Sequence, residues 1–177
     1  MKINRSGLFV IASMIIVITI VTALSIEPEE TTVKKAGQLA EELFKEDAVK
    51  ANKELEFFSL YLPDHFEIKE ESKNNLILDK DGQTFILFYN ALENTMSELN
   101  FQAAAAIEDY SLLKSFSDNK RFGYIFVGET PNGFELQIGV GGVKITTFTT
   151  QAKLREDTES MMKMANSIAY TPVKNTD

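Results

Sequence analysis

Cysteine is absent from all 177 residues. That excludes disulfide staples, a thiolate nucleophile and a lipid-modified N-terminal cysteine. Histidine occurs once, at position 65, so a metal site would have to be completed by carboxylates. No Gly-x-Ser-x-Gly occurs, which removes the nucleophile elbow of the serine hydrolases. Positive charge is scarce: 18 Lys and Arg stand against 26 Asp and Glu, for a net charge of −8. Lys2 and Arg5 are the only charged residues before residue 27, so 27–177 carries −10. Such a chain gains nothing from counterion release, which excludes nucleic acid as a partner. Anionic lipid headgroups also repel it, whereas a partner with a basic surface is electrostatically favoured.

What the sequence does have is an uncharged run at residues 8–26, LFVIASMIIVITIVTALSI, with Lys2 and Arg5 before it and Glu27, Glu29 and Glu30 after it. Nineteen residues of helix span roughly 28 Å, close to the hydrocarbon thickness of a bilayer. The spacing of charge predicts a single transmembrane helix, with the N-terminus in the cytoplasm and residues 27–177 on the far side. A cleaved signal peptide competes with that reading, because Ala23-Leu24-Ser25 loosely fits a small-x-small cleavage site; the length favours the retained anchor. On the first reading the protein is held at the cell membrane through residues 8–26, and on the second it is secreted. Both place the remainder outside the cytoplasm.

Hydrophobic content of 44% and 13 Phe predict a packed core in the remaining residues, one domain's worth. Val33, Ala36, Ala40, Phe44, Ala48, Ala51 and Leu55 recur at spacings of three and four, which predicts a helix over residues 27–55. Thr31 or Thr32 can cap it. Its stripe is mostly alanine, so two readings compete: a helix packed against the sheet that follows, or a helical stalk or linker between the anchor (1–26) and a domain at 56–177; the favoured form begins as stalk and docks near its end. Strands are predicted from residue 57 on. Residues 57–62 end at Pro63-Asp64, 66–69 alternate, and 76–78 run into the hairpin signal Asp81-Gly82. Residues 85–89 and 122–127 are apolar on both parities, which predicts cover on both sheet faces. Residues 98–110 read as helix and 112–116 as helix end or strand. Residues 134–140 and 143–150, separated by Gly141-Gly142, continue a meander, and a helix over 152–169 closes the chain.

Motifs that would carry chemistry fail on spacing. Gly139-Val140-Gly141-Gly142 lacks the Lys-Ser/Thr and the following helix of a phosphate loop. Asp79-Lys80-Asp81-Gly82, aligned on its glycine, puts Ile77 and Phe88 where a calcium loop needs carboxylates. Asp64, His65 and Glu67 could hold a metal only if neighbouring strand residues converged, and they point to opposite faces. Met161, Met162 and Met164 lie at helical spacing beside Leu154 and Ile168, as core does rather than a soft-metal site. No catalytic, cofactor-binding or metal-ligating residue is assigned, and the chain is read as not an enzyme, with no cofactor.

The segment Ser59-Leu60-Tyr61-Leu62-Pro63-Asp64-His65-Phe66 resembles the strand and Leu-Pro-x-x-Phe/Trp opening of PsbP-like and DcrB-like domains. Met164-Ala165-Asn166-Ser167-Ile168 is similar to their closing helix. The resemblance spans about residues 56–172. It implies an α+β fold, an antiparallel sheet covered by helices on both faces in an α/β/α sandwich. It also implies an accessory role, here a membrane-anchored, extracytoplasmic binding module of a bacterial cell-envelope complex. A carrier of a small apolar ligand or lipid, and a hydrolase with an unrecognised carboxylate site, are the alternatives.

Overall fold

The structure, a computed structural model, describes residues 5–25 and 27–169, with side chains at 7–19 and 27–168. Lys2, Ile26, Pro172 and the tail 173–177 lie outside the described residues, and 23–25 are described only as helical backbone. Among the described residues the fold is α+β: one seven-stranded antiparallel sheet, a two-stranded ribbon and four helices.

The first helix, α1 (Arg5–Ser25), exposes its described apolar side chains to more than half their area. The single transmembrane helix expected over 8–26 is corrected here: no helix among the described residues is long and apolar enough to cross a membrane.

The second helix, α2 (Glu29–Lys45), begins after Pro28 with Glu29 and Glu30 in its first turn and ends on Lys45, charges that suit the helix dipole. Thr31 and Thr32 are inside the helix and do not cap it. Of the two readings of this segment, the stalk is corrected and packing against the sheet holds from the start of the helix: Val33, Ala36, Ala40, Leu43 and Phe44 are all buried in the main core. The alanines let α2 lie close on the sheet. The helix stops at Lys45 rather than near residue 55 because the chain then turns into a ribbon of β1 (Lys53–Glu54) and β2 (Ser59–Leu60). Leu55 is buried there, with its N–H on the Phe58 carbonyl at 2.9 Å.

The sheet is made of β3 (Glu67–Glu71), β4 (Asn75–Lys80), β5 (Gln83–Tyr89), β6 (Tyr110–Ser117), β7 (Phe122–Thr130), β8 (Gly133–Val140) and β9 (Val143–Thr149), in spatial order β3-β4-β5-β9-β8-β7-β6. Residues 112–116, which the sequence allows as helix end or strand, are thus part of strand β6, and the helix expected over 98–110 is corrected: it ends at Ala105, and Tyr110 opens β6. Asp81 and Gly82 make the β4–β5 turn with φ of 53° and 79°, the positive values a two-residue hairpin needs. Gly141 and Gly142 turn β8 into β9 with Val140 opposite Val143.

The inner face is closed. α2 lies over β6 and β7, and the closing helix α4 (Leu154–Ala169) lies over β8 and β9. The β1–β2 ribbon and the segment after it cover β4 and β5, where Phe66 meets Phe85 at 4.9 Å and Phe58 meets Tyr89 at 5.1 Å. Among the described residues the outer face carries only α3 (Leu99–Ala105), seven residues against β6 and β7. Its Phe101 and Ala104 form a small second cluster with Tyr124 and Phe126. The expected sandwich with helices on both faces is therefore corrected: helical cover of the outer face stops at β7.

Candidate functional site

The outer face beyond β7 is where the molecule is least complete. Alternation along β5 sends Phe85 and Leu87 into the core and Ile86 and Phe88 outward. Along β9, Val143, Ile145 and Thr147 point inward, so Lys144, Thr146 and Phe148 face out. Ile77 of β4 stands opposite Ile86, and Ile86 opposite Thr146. The result is an apolar surface of Ile77, Ile86, Phe88 and Phe148, with Ile86 49% and Phe148 67% exposed. Residues 85–89 are thus covered on one face only.

The charges around this surface are mostly negative. Glu70 stands opposite Ile77, and Glu67 opposite Asp79, on the β3 side. Glu135 stands opposite Phe148 on the β8 side. Lys144 is on the same face, and Lys69 is already engaged by Glu67 at 2.6 Å, which raises the lysine pKa. A second copy of this face would bring carboxylates against carboxylates. A protein with apolar side chains inside a basic rim complements it.

Under the covered end of the sheet, Tyr124 lies flat across Gly139, its partner on β8; a Cβ there would meet the ring at 2.2 Å. The glycine-rich stretch 139–142 thus serves ring packing and a hairpin. Burial first, and then the charge of Glu135, push the Tyr124 hydroxyl well above its ordinary range, so it stays protonated and acts as a packed, hydrogen-bonded phenol.

Two buried polar clusters are structural. Asp157, 1% exposed, accepts from Thr149 Oγ1 and from Gln83 Nε2 at 2.8 Å, tying α4 to β9 and β5. Arg121, 3% exposed, binds Asn166, Phe44 and Asp118. No described buried side-chain polar atom lacks a partner.

The residues weighed in the sequence for chemistry are dispersed. His65 is exposed in a turn at φ 70°, and Asp64 and Glu67 beside it are also exposed. No group of three His, Asp or Glu among the described residues is placed to hold a metal. Asp79 and Asp81 belong to the β4–β5 hairpin. Met161, Met162 and Met164 are fully buried with Leu154 and Ile168. What sequence reading missed is Phe148. In Val143-Lys-Ile-Thr-Thr-Phe-Thr149 it is the one large apolar residue on the polar parity, a signal the alternation did carry.

Comparison with known proteins adds no family: no family model matches the chain, and no curated protein or solved structure matches it.

Proposed function

We propose that this protein is a non-catalytic binding module that docks another protein on the bare half of its outer sheet face. The observation that carries this reading is the apolar surface of Ile77, Ile86, Phe88 and Phe148 inside a predominantly acidic rim. Aromatic and aliphatic residues exposed together on a regular scaffold are what an interface centre needs. The partner is basic around an apolar centre, and the association weakens with salt. The charge pattern of residues 1–30, with Lys2 and Arg5 before an uncharged run and acids after it, supports export and a place in the cell envelope. The resemblance to PsbP-like and DcrB-like domains supports an accessory role in a larger assembly.

The test is the double variant Ile86→Lys and Phe148→Lys in the full chain. Both positions are already solvent-facing, so the melting temperature is expected to stay within a few degrees. The partner that co-purifies with the native chain at low salt is expected to be lost. Retention of that partner by the variant sinks the reading. Lipid co-purifying in place of protein would support an apolar-ligand carrier, and turnover of an envelope substrate would support a hydrolase.

A further inference from the structure

The sheet has two edges, and they are guarded differently. At one edge, β3 is five residues long, four of them charged, with a bulge between Ile68 and Glu70. Short, charged, kinked strands resist further pairing. At the other edge, β6 is eight residues long and carries a single charge, Lys114. That ammonium is drawn under the sheet to Glu41 of α2 at 2.6 Å. The hydrogen bonds from Lys114 and then Lys45 hold the Glu41 carboxyl at about 2, well below the usual range, so the clamp stays charged. The bulge in β6 falls between Tyr110 and Leu112, leaving residues 112–117 in regular register with β7. Among the described residues no strand pairs with the outer side of β6.

Beside that edge lies a groove of about 670 Å³ between α2 and β6. At its floor Gly37 lets α2 rest against Leu112; a Cβ there would stand 2.7 Å from Leu112 Cδ2. Val33, Leu112 and Phe134 give the groove an apolar lining; Glu29, Glu30 and Glu129 add three carboxylates against Lys34 and Lys114, the latter engaged by Glu41. Those acids gather at one end. Gly37 is beside Leu112, Glu41 beside Lys114, and Phe44 beside Phe116, so α2 runs along β6 in the same direction. The first turn of α2 therefore sits at the start of β6, where Ser111 Oγ donates to Glu129 at 2.7 Å.

We propose that β6 accepts an added β-strand from a partner polypeptide. The segment runs antiparallel to β6, drops alternate apolar side chains over Leu112 and Val33, and brings a Lys or Arg near its C-terminal end to Glu29, Glu30 and Glu129. Main-chain bonds supply the affinity and the groove supplies the choice of side chain. A second copy of β6 is the wrong occupant: paired antiparallel, it would carry its own Asp118 into the same three carboxylates. The proposal does not depend on the outer-face interface, from which it is separated by β7 and β8.

The probe is a fluorescein-labelled peptide of alternating threonine and valine ending in two lysines, titrated against the full chain by anisotropy. In antiparallel pairing only alternate peptide residues face β6. N-methylation of one parity of peptide amides is therefore expected to abolish binding while the other parity spares it. The exposed charge reversals Glu30→Lys and Glu129→Lys together are expected to weaken binding about tenfold. Ile86→Lys with Phe148→Lys is expected to leave it unchanged. With peptide bound, amide exchange should slow along β6 and not along β3. No binding up to about 1 mM, equal loss from both N-methyl parities, or unchanged exchange along β6 would each overturn the proposal. Loss of binding with Ile86→Lys and Phe148→Lys alone would place the peptide on the outer face instead.

Discussion

A chain begun at residue 56 is expected to show no cooperative unfolding transition, while one begun at residue 27 melts as a single unit. The difference is α2. Its Phe44 is fully buried, packs on Phe116 at 4.9 Å, and lies with Val33, Ala36, Ala40 and Leu43 in the main core. Val33, Leu43 and Phe44 alone, at about 1.5–3 kcal/mol for each large apolar side chain buried, are worth about 6 kcal/mol. A domain of this size holds only about 5–15 kcal/mol in all. Removing α2 also bares the inner faces of β6 and β7 and one flank of α4. Circular dichroism during a thermal scan decides the matter. A 56–177 chain that melts cooperatively within a few degrees of 27–177 would return α2 to the status of a linker.

The second large effect is expected at Arg121. Its guanidinium stands 4.4 Å over the Phe44 ring and donates to the Phe44 carbonyl at 2.7 Å and to Asn166 Oδ1 at 2.9 Å. It also bonds Asp118 at 3.0 Å. Asn166 in turn donates to the Leu43 carbonyl at 3.0 Å. One side chain and its partner thus satisfy carbonyls at the C-terminal end of α2 and fasten that helix to α4 and to the β6–β7 turn. Burial raises the Asp118 pKa, but the backbone amides of Lys120 and Arg121 and the guanidinium outweigh it and hold the carboxyl below its usual range. Arg121→Ala strips a buried charge-assisted hub and leaves Asn166 and the Phe44 carbonyl short of a donor, which is expected to cost about 3–5 kcal/mol. Arg121→Lys keeps the charge but cannot reach three partners in a plane, so it should recover only part of the loss. Urea unfolding measures both. A change below about 1 kcal/mol for Arg121→Ala would mean that the cluster behaves as an exposed ion pair.

Local chemistry was the legible part of this chain. Asp81-Gly82 and Gly141-Gly142 announced their hairpins, and Leu154, Met161 and Ile168 announced the buried stripe of α4, because turn geometry and helix period depend on near neighbours. Long-range competition was not legible. Ala48, Ala51 and Leu55 continue the helical spacing of α2, yet Asn52 pairs with Leu60 and Leu55 with Phe58 across the ribbon, a tertiary gain that periodicity cannot register. The alanine-rich stripe of α2 looked too thin to bury, when small side chains are what allow close approach to β6. Residues 85–89 looked covered on both faces because Ile86 and Phe88 are apolar. Their exposure is the feature that became the candidate site, and an apolar residue reads the same in a core as on an interface.

The central claim is that the bare outer face meets a basic protein, and a photo-cross-linking amino acid placed at Phe148 of the full chain in its native cells tests it most directly. Val49, exposed on the segment after α2, serves as the control position. The account predicts one discrete adduct at 148, absent at 49, mapping to a segment rich in Lys or Arg, and lost when Glu70→Lys and Asp79→Lys reverse the rim. No adduct at 148, or an adduct there that survives the reversed rim, would contradict it.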